Sequence, residues 1–286
     1  MIQSMTGYGK TILQISTKKI TIELKSLNSK SLDLNVRIPS YYREKELDIR
    51  KKLASALERG KIDFSIYIEN NGGELSSKIN ETIVKEYMNQ LKTIVDSNDD
   101  IELLKMAVRL PDSLKTEREE LDEDEWKQIE IAISETIEKI NEYRLDEGKV
   151  LLADFELRIS IIEDLLEKVI EEDPKRIEHV KEKIKKSIAE LEAKIDESRF
   201  EQELIYYIEK LDITEEKVRL QNHLDYFRKE LNEEISNGKK LGFITQEIGR
   251  EINTIGSKSN FADMQKLVVQ MKDELEKIKE QNLNVL

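Results

Sequence analysis

The chain contains no cysteine, which excludes disulfide cross-links and thiolate metal sites. It also lacks any apolar run close to the roughly 20 residues that a membrane-spanning helix needs. Its first residues do not form an apolar signal segment, because Lys10, Lys18 and Lys19 follow Thr6-Gly7-Tyr8-Gly9. A soluble, cytoplasmic protein with no membrane partner is the expectation. There is no strict repeat, no low-complexity tract and no row of aspartates that would make a dense metal cluster. The 286 residues are too many for one small core and suit two domains.

Acidity is what the chain has in excess, with a net charge of −13. The charge is unevenly spread. Residues 1–70 carry 13 Lys and Arg against 8 Asp and Glu, and residues 238–261 carry 4 against 2. Residues 71–237 carry 26 against 45. A polyanion responds to local potential rather than to the total, so the acidic middle reads as a solvated scaffold and the two ends remain open to nucleic acid.

Hydrophobic periodicity divides the chain. Ile20, Ile22 and Leu24 alternate with polar residues, as do Leu32, Leu34, Val36 and Ile38, and again Ile62, Phe64, Ile66 and Ile68. Period two marks half-buried strands. Asn28-Ser29 supplies a turn between the second and third strands. Pro39 closes the third strand, and Tyr42 to Glu58 reads as a helix ended by Gly60. A small sheet of about four strands with one packed helix follows.

Beyond Gly72-Gly73 the spacing becomes helical. The stripes are Trp126, Ile129, Ile133, Ile137 and Ile140; Phe155, Ile159, Ile162, Leu166 and Val169; Ile184, Ile188, Leu191 and Ile195; and Met264, Leu267, Met271, Leu275 and Ile278. Steps of three and four are those of an amphipathic helix. Pro174 reads as the first residue of a helix capped by Asp173. The fold class is therefore α+β: an N-terminal α+β domain over 1–72, a helical arm over 73–200 and an all-helical C-terminal domain over 201–286.

Two segments carry polar residues in register. From Asp212 to Leu231, Leu220, Leu224, Phe227 and Leu231 share one helical face. Glu216, Arg219, His223 and Glu230 form a second stripe roughly 80° away. From Gly238 to Lys258, Ile244, Ile248, Ile252 and Ile255 share a face, and Glu247, Arg250, Glu251 and Thr254 share another. Glu247 and Glu251, four apart, suit two oxygen ligands of a hard cation. Arg250 and Lys258 suit phosphate oxygens. The same spacings occur in ordinary salt-bridged helices, and a lone His223 equally fits a core edge. His179 reads as a surface residue and Trp126 as core.

At these residues the chain resembles the YicC/YloC family of bacterial endoribonucleases. The likeness runs through Ser4-Met5-Thr6-Gly7-Tyr8-Gly9, Ser26-Leu27-Asn28, Leu32-Asp33-Leu34-Asn35 and Glu58-Arg59-Gly60-Lys61-Ile62-Asp63. It resumes at Asp212 to Glu216, Arg219-Leu220, His223-Leu224, Gln246-Glu247 and the nine residues from Arg250 to Lys258. The family's Asn-His-Arg turn is here Asn28-Ser29-Lys30. Gly242 stands where the family has an acidic residue, Gly249 where it has Asn and Asn222 where it has Ser; the glycine at 249 softens its helix by about 1 kcal/mol relative to Ala.

The resemblance implies an endoribonuclease using a divalent metal, assembled as a homo-oligomeric ring of six that closes over RNA. Glu247 and Glu251, with Glu216 or His223, are the expected ligands of Mg2+ or Mn2+. Arg219, Arg250 and Lys258 would neutralise developing charge, and Lys30, Arg37, Arg59 and Lys61 would contact RNA. His223 acting as general base on the 2′-OH is a second route. The rival expectation is a non-catalytic RNA-binding scaffold that presents RNA to another nuclease.

Overall fold

A computed structural model describes residues 1–70, 78–95, 99–115, 122–189 and 197–286. The Gly72-Gly73 pair, Leu191, Ile195 and the side chain of Ile188 lie outside the described residues. The N-terminal elements are β1 (Gly7–Ile15), β2 (Lys18–Leu27), β3 (Leu32–Arg37), α1 (Glu46–Ala56) and β4 (Gly60–Asn70). They build one sheet in the order β1-β2-β4-β3. β1 and β4 flank β2 antiparallel, whereas β3 runs parallel to β4. Parallel neighbours need a crossover, and α1 supplies it.

The alternation expected from sequence is what the sheet shows: Ile20, Ile22, Leu24, Ile62, Phe64 and Ile66 are buried. The expected helix from Tyr42 starts later, since Ser40–Lys45 forms a 3₁₀ turn before α1. Glu46 and Asp48 fall in the first turn of α1, where carboxylates complement the helix dipole. Tyr42 is fully buried and its hydroxyl donates to Glu125. Burial, aided by that hydrogen bond, raises its pKa far above the ordinary phenol value.

A short ribbon of β5 (Lys78–Ile79) and β6 (Leu114–Lys115) brackets α2 (Glu81–Val95) and α3 (Asp100–Ala107). Next comes α4 (Glu123–Ala189), 67 residues long and thus about 100 Å from end to end. The remaining helices are α5 (Glu197–Lys210), α6 (Thr214–Leu231), α7 (Gly238–Lys258) and α8 (Ala262–Asn282). No helix among the described residues is long and apolar enough to cross a membrane.

α4 contributes to both hydrophobic cores. Trp126, Ile129, Ile133, Ile137 and Ile140 close the inner face of the sheet with α1. Phe155, Ile159, Ile162, Leu166 and Val169 pack against α6, α7 and α8. Pro174 corrects the sequence reading, because it lies inside α4 rather than at a helix start. Proline deletes one backbone hydrogen bond and frees a carbonyl four residues earlier. Pro174 and Ile170 are both exposed, so water can satisfy the freed group and the helix continues.

Residues 1–5 leave the sheet and lie beside the chain's last residues. Met5 N–H donates to the Asn284 carbonyl at 2.7 Å, and Ser4 bridges Val285. Gly148 makes this possible: a Cβ there would sit 2.0 Å from the Ile2 carbonyl oxygen.

Candidate active site

α6 and α7 form an antiparallel hairpin. Leu220, Leu224, Phe227 and Leu231 of α6 and Ile244, Ile248, Ile252 and Ile255 of α7 are all buried, which sets the rotation of both helices. Asp212 accepts from Thr214 Oγ1 at 2.8 Å and Thr214 N at 3.2 Å. The Thr214 hydroxyl thereby draws the Asp212 carboxyl below its ordinary pKa. At the start of α7, Asn237 accepts from Lys240 N at 3.1 Å as an N-cap. Gly249 sits mid-helix, where a Cβ would lie 3.2 Å from Leu275 Cδ2. Its low helix propensity is thus coupled to the close approach of α8.

Two cross-hairpin ion pairs fix the register. Lys258 Nζ meets Glu216 Oε1 at 2.7 Å, and Lys240 Nζ meets Glu230 Oε2 at 2.5 Å. Between these ends, the antiparallel register sets His223 level with Glu247 and Glu251. The polar stripe read from the sequence splits by depth. Glu216, Glu230 and Glu251 are buried, His223 and Glu247 are half-buried, and Arg219 and Arg250 are exposed. Arg219 pairs with Glu215 at 2.5 Å and Arg250 with Glu247 at 2.7 Å. Lys258 also donates to the Asp212 carbonyl at 2.9 Å, so its ammonium is committed to joining the two helix ends. Glu216 uses only one oxygen in this way. Its Oε2 is buried with no hydrogen-bond partner.

Among the described residues no three His, Asp or Glu side chains gather closely enough to hold a metal ion. The residues present still fit a Mg2+-like ion, which keeps several waters and takes one or two carboxylates plus substrate phosphate oxygens. The unpartnered Glu216 Oε2 and the Glu247–Glu251 pair are oxygens of that kind.

A buried network that the sequence reading missed braces the hairpin. Arg176 reaches Asp173 at 2.7 Å, the Leu211 carbonyl at 2.9 Å and the Lys258 carbonyl at 3.3 Å. Lys217 adds a second bond to Asp173 at 2.7 Å. Asp173, expected as a helix cap, is thus an internal counter-ion. The Asp-x-x-Arg spacing at 173–176 was the available signal.

The other expected RNA contacts lie on the sheet module. Lys30, Arg37 and Lys61 are exposed, while Arg59 Nε donates to the Ser29 carbonyl at 2.9 Å. Ile137, facing the sheet, and Asp173, facing the Glu216 end of the hairpin, are roughly 50 Å apart along α4, while the hairpin's other end at Glu233 and Glu234 meets Met1. Within one chain these cations and the hairpin carboxylates are separate groups.

Arg144 also went unnoticed in the sequence. It is buried and donates Nη2 to Ser26 Oγ at 2.6 Å and to the Met5 and Arg59 carbonyls at 3.4 Å. It has no carboxylate partner among the described residues, and burial pushes its pKa down to about 10. Glu147, one turn on, accepts from Thr6 Oγ1 at 2.6 Å. Arg-x-x-Glu-Gly at 144–148 therefore docks the first strand.

The family model described as "Endoribonuclease YicC-like, N-terminal region" matches residues 2–153, and "Endoribonuclease YicC-like, C-terminal" matches residues 169–286. The chain is 34% identical to a "Probable endoribonuclease YicC" of Clostridioides difficile (strain 630) over the full length of both chains. It is 28% identical to a "Probable endoribonuclease YicC" of Haemophilus influenzae, again over the full length of both.

Proposed function

This chain belongs to the YicC-like endoribonuclease family, and on that premise we propose that it cuts RNA along the polar stripe of the α6–α7 hairpin. The observation that carries the reading is Glu216, a buried carboxylate with one oxygen unpartnered, on the stripe that also holds His223, Glu247 and Glu251. Buried carboxylates alone repel a phosphodiester, so the stripe needs a cation to face RNA. Arg219 and Arg250 supply positive charge at its exposed rim, each free to exchange a weak surface pair for a phosphate. Glu247 and Glu251 would hold Mg2+ or Mn2+, with waters and phosphate oxygens in place of the third side chain, Glu216 or His223, expected from the sequence. When bound, such an ion lowers the pKa of an attacking water and neutralises charge on the phosphate.

A metal-free route uses His223 as general base on the 2′-OH; its half-buried place level with Glu251 supports that reading. In this proposal the chain works in the cytoplasm, where its RNA substrate is found, as a homo-oligomeric ring of six. The exposed Ile101, Leu104 and Met106 of α3 and Ile205, Tyr206 and Tyr207 of α5 support association.

A labelled RNA incubated with and without EDTA, with both new ends mapped, tests this. Ordinary phosphate and hydroxyl ends that vanish with chelator are expected. Cyclic 2′,3′-phosphate ends made in chelator would sink the metal route in favour of His223. Cleavage that survives Glu247→Gln, Glu251→Gln and His223→Ala alike would move the site elsewhere. RNA that is bound but stays intact across a Mg2+ and Mn2+ titration would favour the non-catalytic scaffold.

A further inference from the structure

The inner face of the sheet is sealed by α1 and α4, while its outer face presents Tyr8, Lys25, Arg37 and Tyr67 exposed. Strand register lays that face out in rows. Tyr8, Lys25, Asp63 and Asn35 lie side by side across the four strands. Lys10, Glu23, Ser65 and Arg37 form the next row, and Ile12, Thr21 and Tyr67 the one after. Tyr8 is 41% and Tyr67 51% exposed.

On this side of the sheet the cations Lys10, Lys25, Arg37 and Lys61 face the carboxylates Glu23, Asp33 and Asp63. Glu23 is shared by Lys10 at 2.9 Å and Lys25 at 3.6 Å, one carboxylate for two cations. Asp63 accepts from the neutral Asn35 amide at 2.7 Å. Arg37 has no carboxylate partner among the described residues, and Lys61 stands opposite Asp33 in the register. Lys25, Arg37, Asp63, Ser65 and Tyr67 line a shallow cleft of about 190 Å³. Lys25 also lies 5.8 Å from the centre of the Tyr8 ring.

We propose that this outer face is a binding platform for unpaired RNA. One base stacks on Tyr67 with its phosphate between Arg37 and Lys25, and a second base further along the strand stacks on Tyr8. Stacking needs an exposed base face, and in an A-form duplex the bases are hidden. The platform therefore selects single strands, which is a narrower substrate class than RNA in general. The inference rests on RNA being what the chain acts on. It concerns holding, not cutting, because Tyr8 and Tyr67 stand on the sheet and the candidate carboxylates on the hairpin.

The test uses the full-length chain in EDTA with a fluorescent 20-nucleotide unstructured RNA carrying 5-bromouridine. Photocrosslinks on Tyr67 or Tyr8 are expected. Tyr67→Ala should weaken binding about tenfold and Tyr67→Phe hardly at all, since the ring does the stacking. Arg37→Glu should weaken it and flatten its salt dependence, and a 20-base-pair RNA duplex should compete poorly. Wild-type affinity in the Tyr8→Ala/Tyr67→Ala double variant, equal competition by duplex, or a changed oligomeric state in that variant would each overturn the platform. Activity separates this outcome from failure of the functional reading. A double variant that cuts RNA with unchanged kcat/KM removes the platform and leaves the nuclease, whereas a wild-type chain that crosslinks at Tyr67 but never cuts does the reverse.

Discussion

The two ends of α4 handle charge differently. At the sheet end Glu125 is buried against Lys18 at 3.2 Å, whereas buried Arg144 meets only carbonyls and a hydroxyl, and Arg37 is exposed with no carboxylate partner among the described residues. At the hairpin end Arg176 is buried together with three carboxylates, and each of Asp173, Glu216 and Glu230 has its cation at 2.7 Å or less. An end with spare cations attracts a polyanion unaided. An end with buried carboxylates repels one until a metal or an arginine intervenes. The contrast teaches that holding RNA and reacting with it draw on different parts of this chain.

The contrast can be broken hardest at Gly148, which docks residues 1–5 between the two ends. Gly148→Ala should cost about 3 kcal/mol or more, because its Cβ meets a backbone carbonyl that has little room to retreat. Urea unfolding followed by far-ultraviolet circular dichroism measures it, and an unchanged midpoint would mean that this docking contributes little.

Lys258→Met comes next. It strips the partner from buried Glu216, and about 2 kcal/mol should be lost, less than for a sealed pair because Lys258 is 32% exposed. Adding Glu216→Leu should restore most of that loss, so the double variant's denaturation midpoint decides whether the charge or the lysine's packing mattered.

Arg250→Ala sharpens the comparison differently. Its exposed pair with Glu247 should leave stability within about 0.5 kcal/mol, while RNA cleavage should fall about 100-fold if the guanidinium meets developing charge. Equal cleavage rates for variant and parent would assign Arg250 to the solvated surface.

The smallest effect is acid-dependent. Asp212 has its folded-state pKa lowered by Thr214, so its contribution is present above the ordinary value of 3.8 and is lost as pH falls through the folded value. Between pH 5 and pH 3 the parent should lose about one degree more of melting temperature than Asp212→Asn, read by calorimetry.

Much of this architecture was legible one residue at a time. Alternation at Ile20, Ile22 and Leu24 marks a strand whatever it pairs with, and the stripe from Ile244 to Ile255 marks a helix face whatever covers it. The run from Arg250 to Lys258 marked the family. These signals are local, because burial on one face imposes period two or 3.6 on the sequence itself.

Other features depend on residues far apart in the chain. Strand order β1-β2-β4-β3 depends on β3 crossing over α1 to lie beside β4. Which members of the hairpin's polar stripe are buried depends on α6 and α7 meeting each other and α4. Pro174 continues a helix because its freed carbonyl faces water, and Arg144 is buried because Met5, Ser26 and Arg59 converge on it. The sequence by itself determined the sheet strands, the main apolar helix faces and the family. Only the tertiary structure decided which charges are buried and with whom, because desolvation and ion pairing are properties of side chains brought together across the chain, which periodicity does not record.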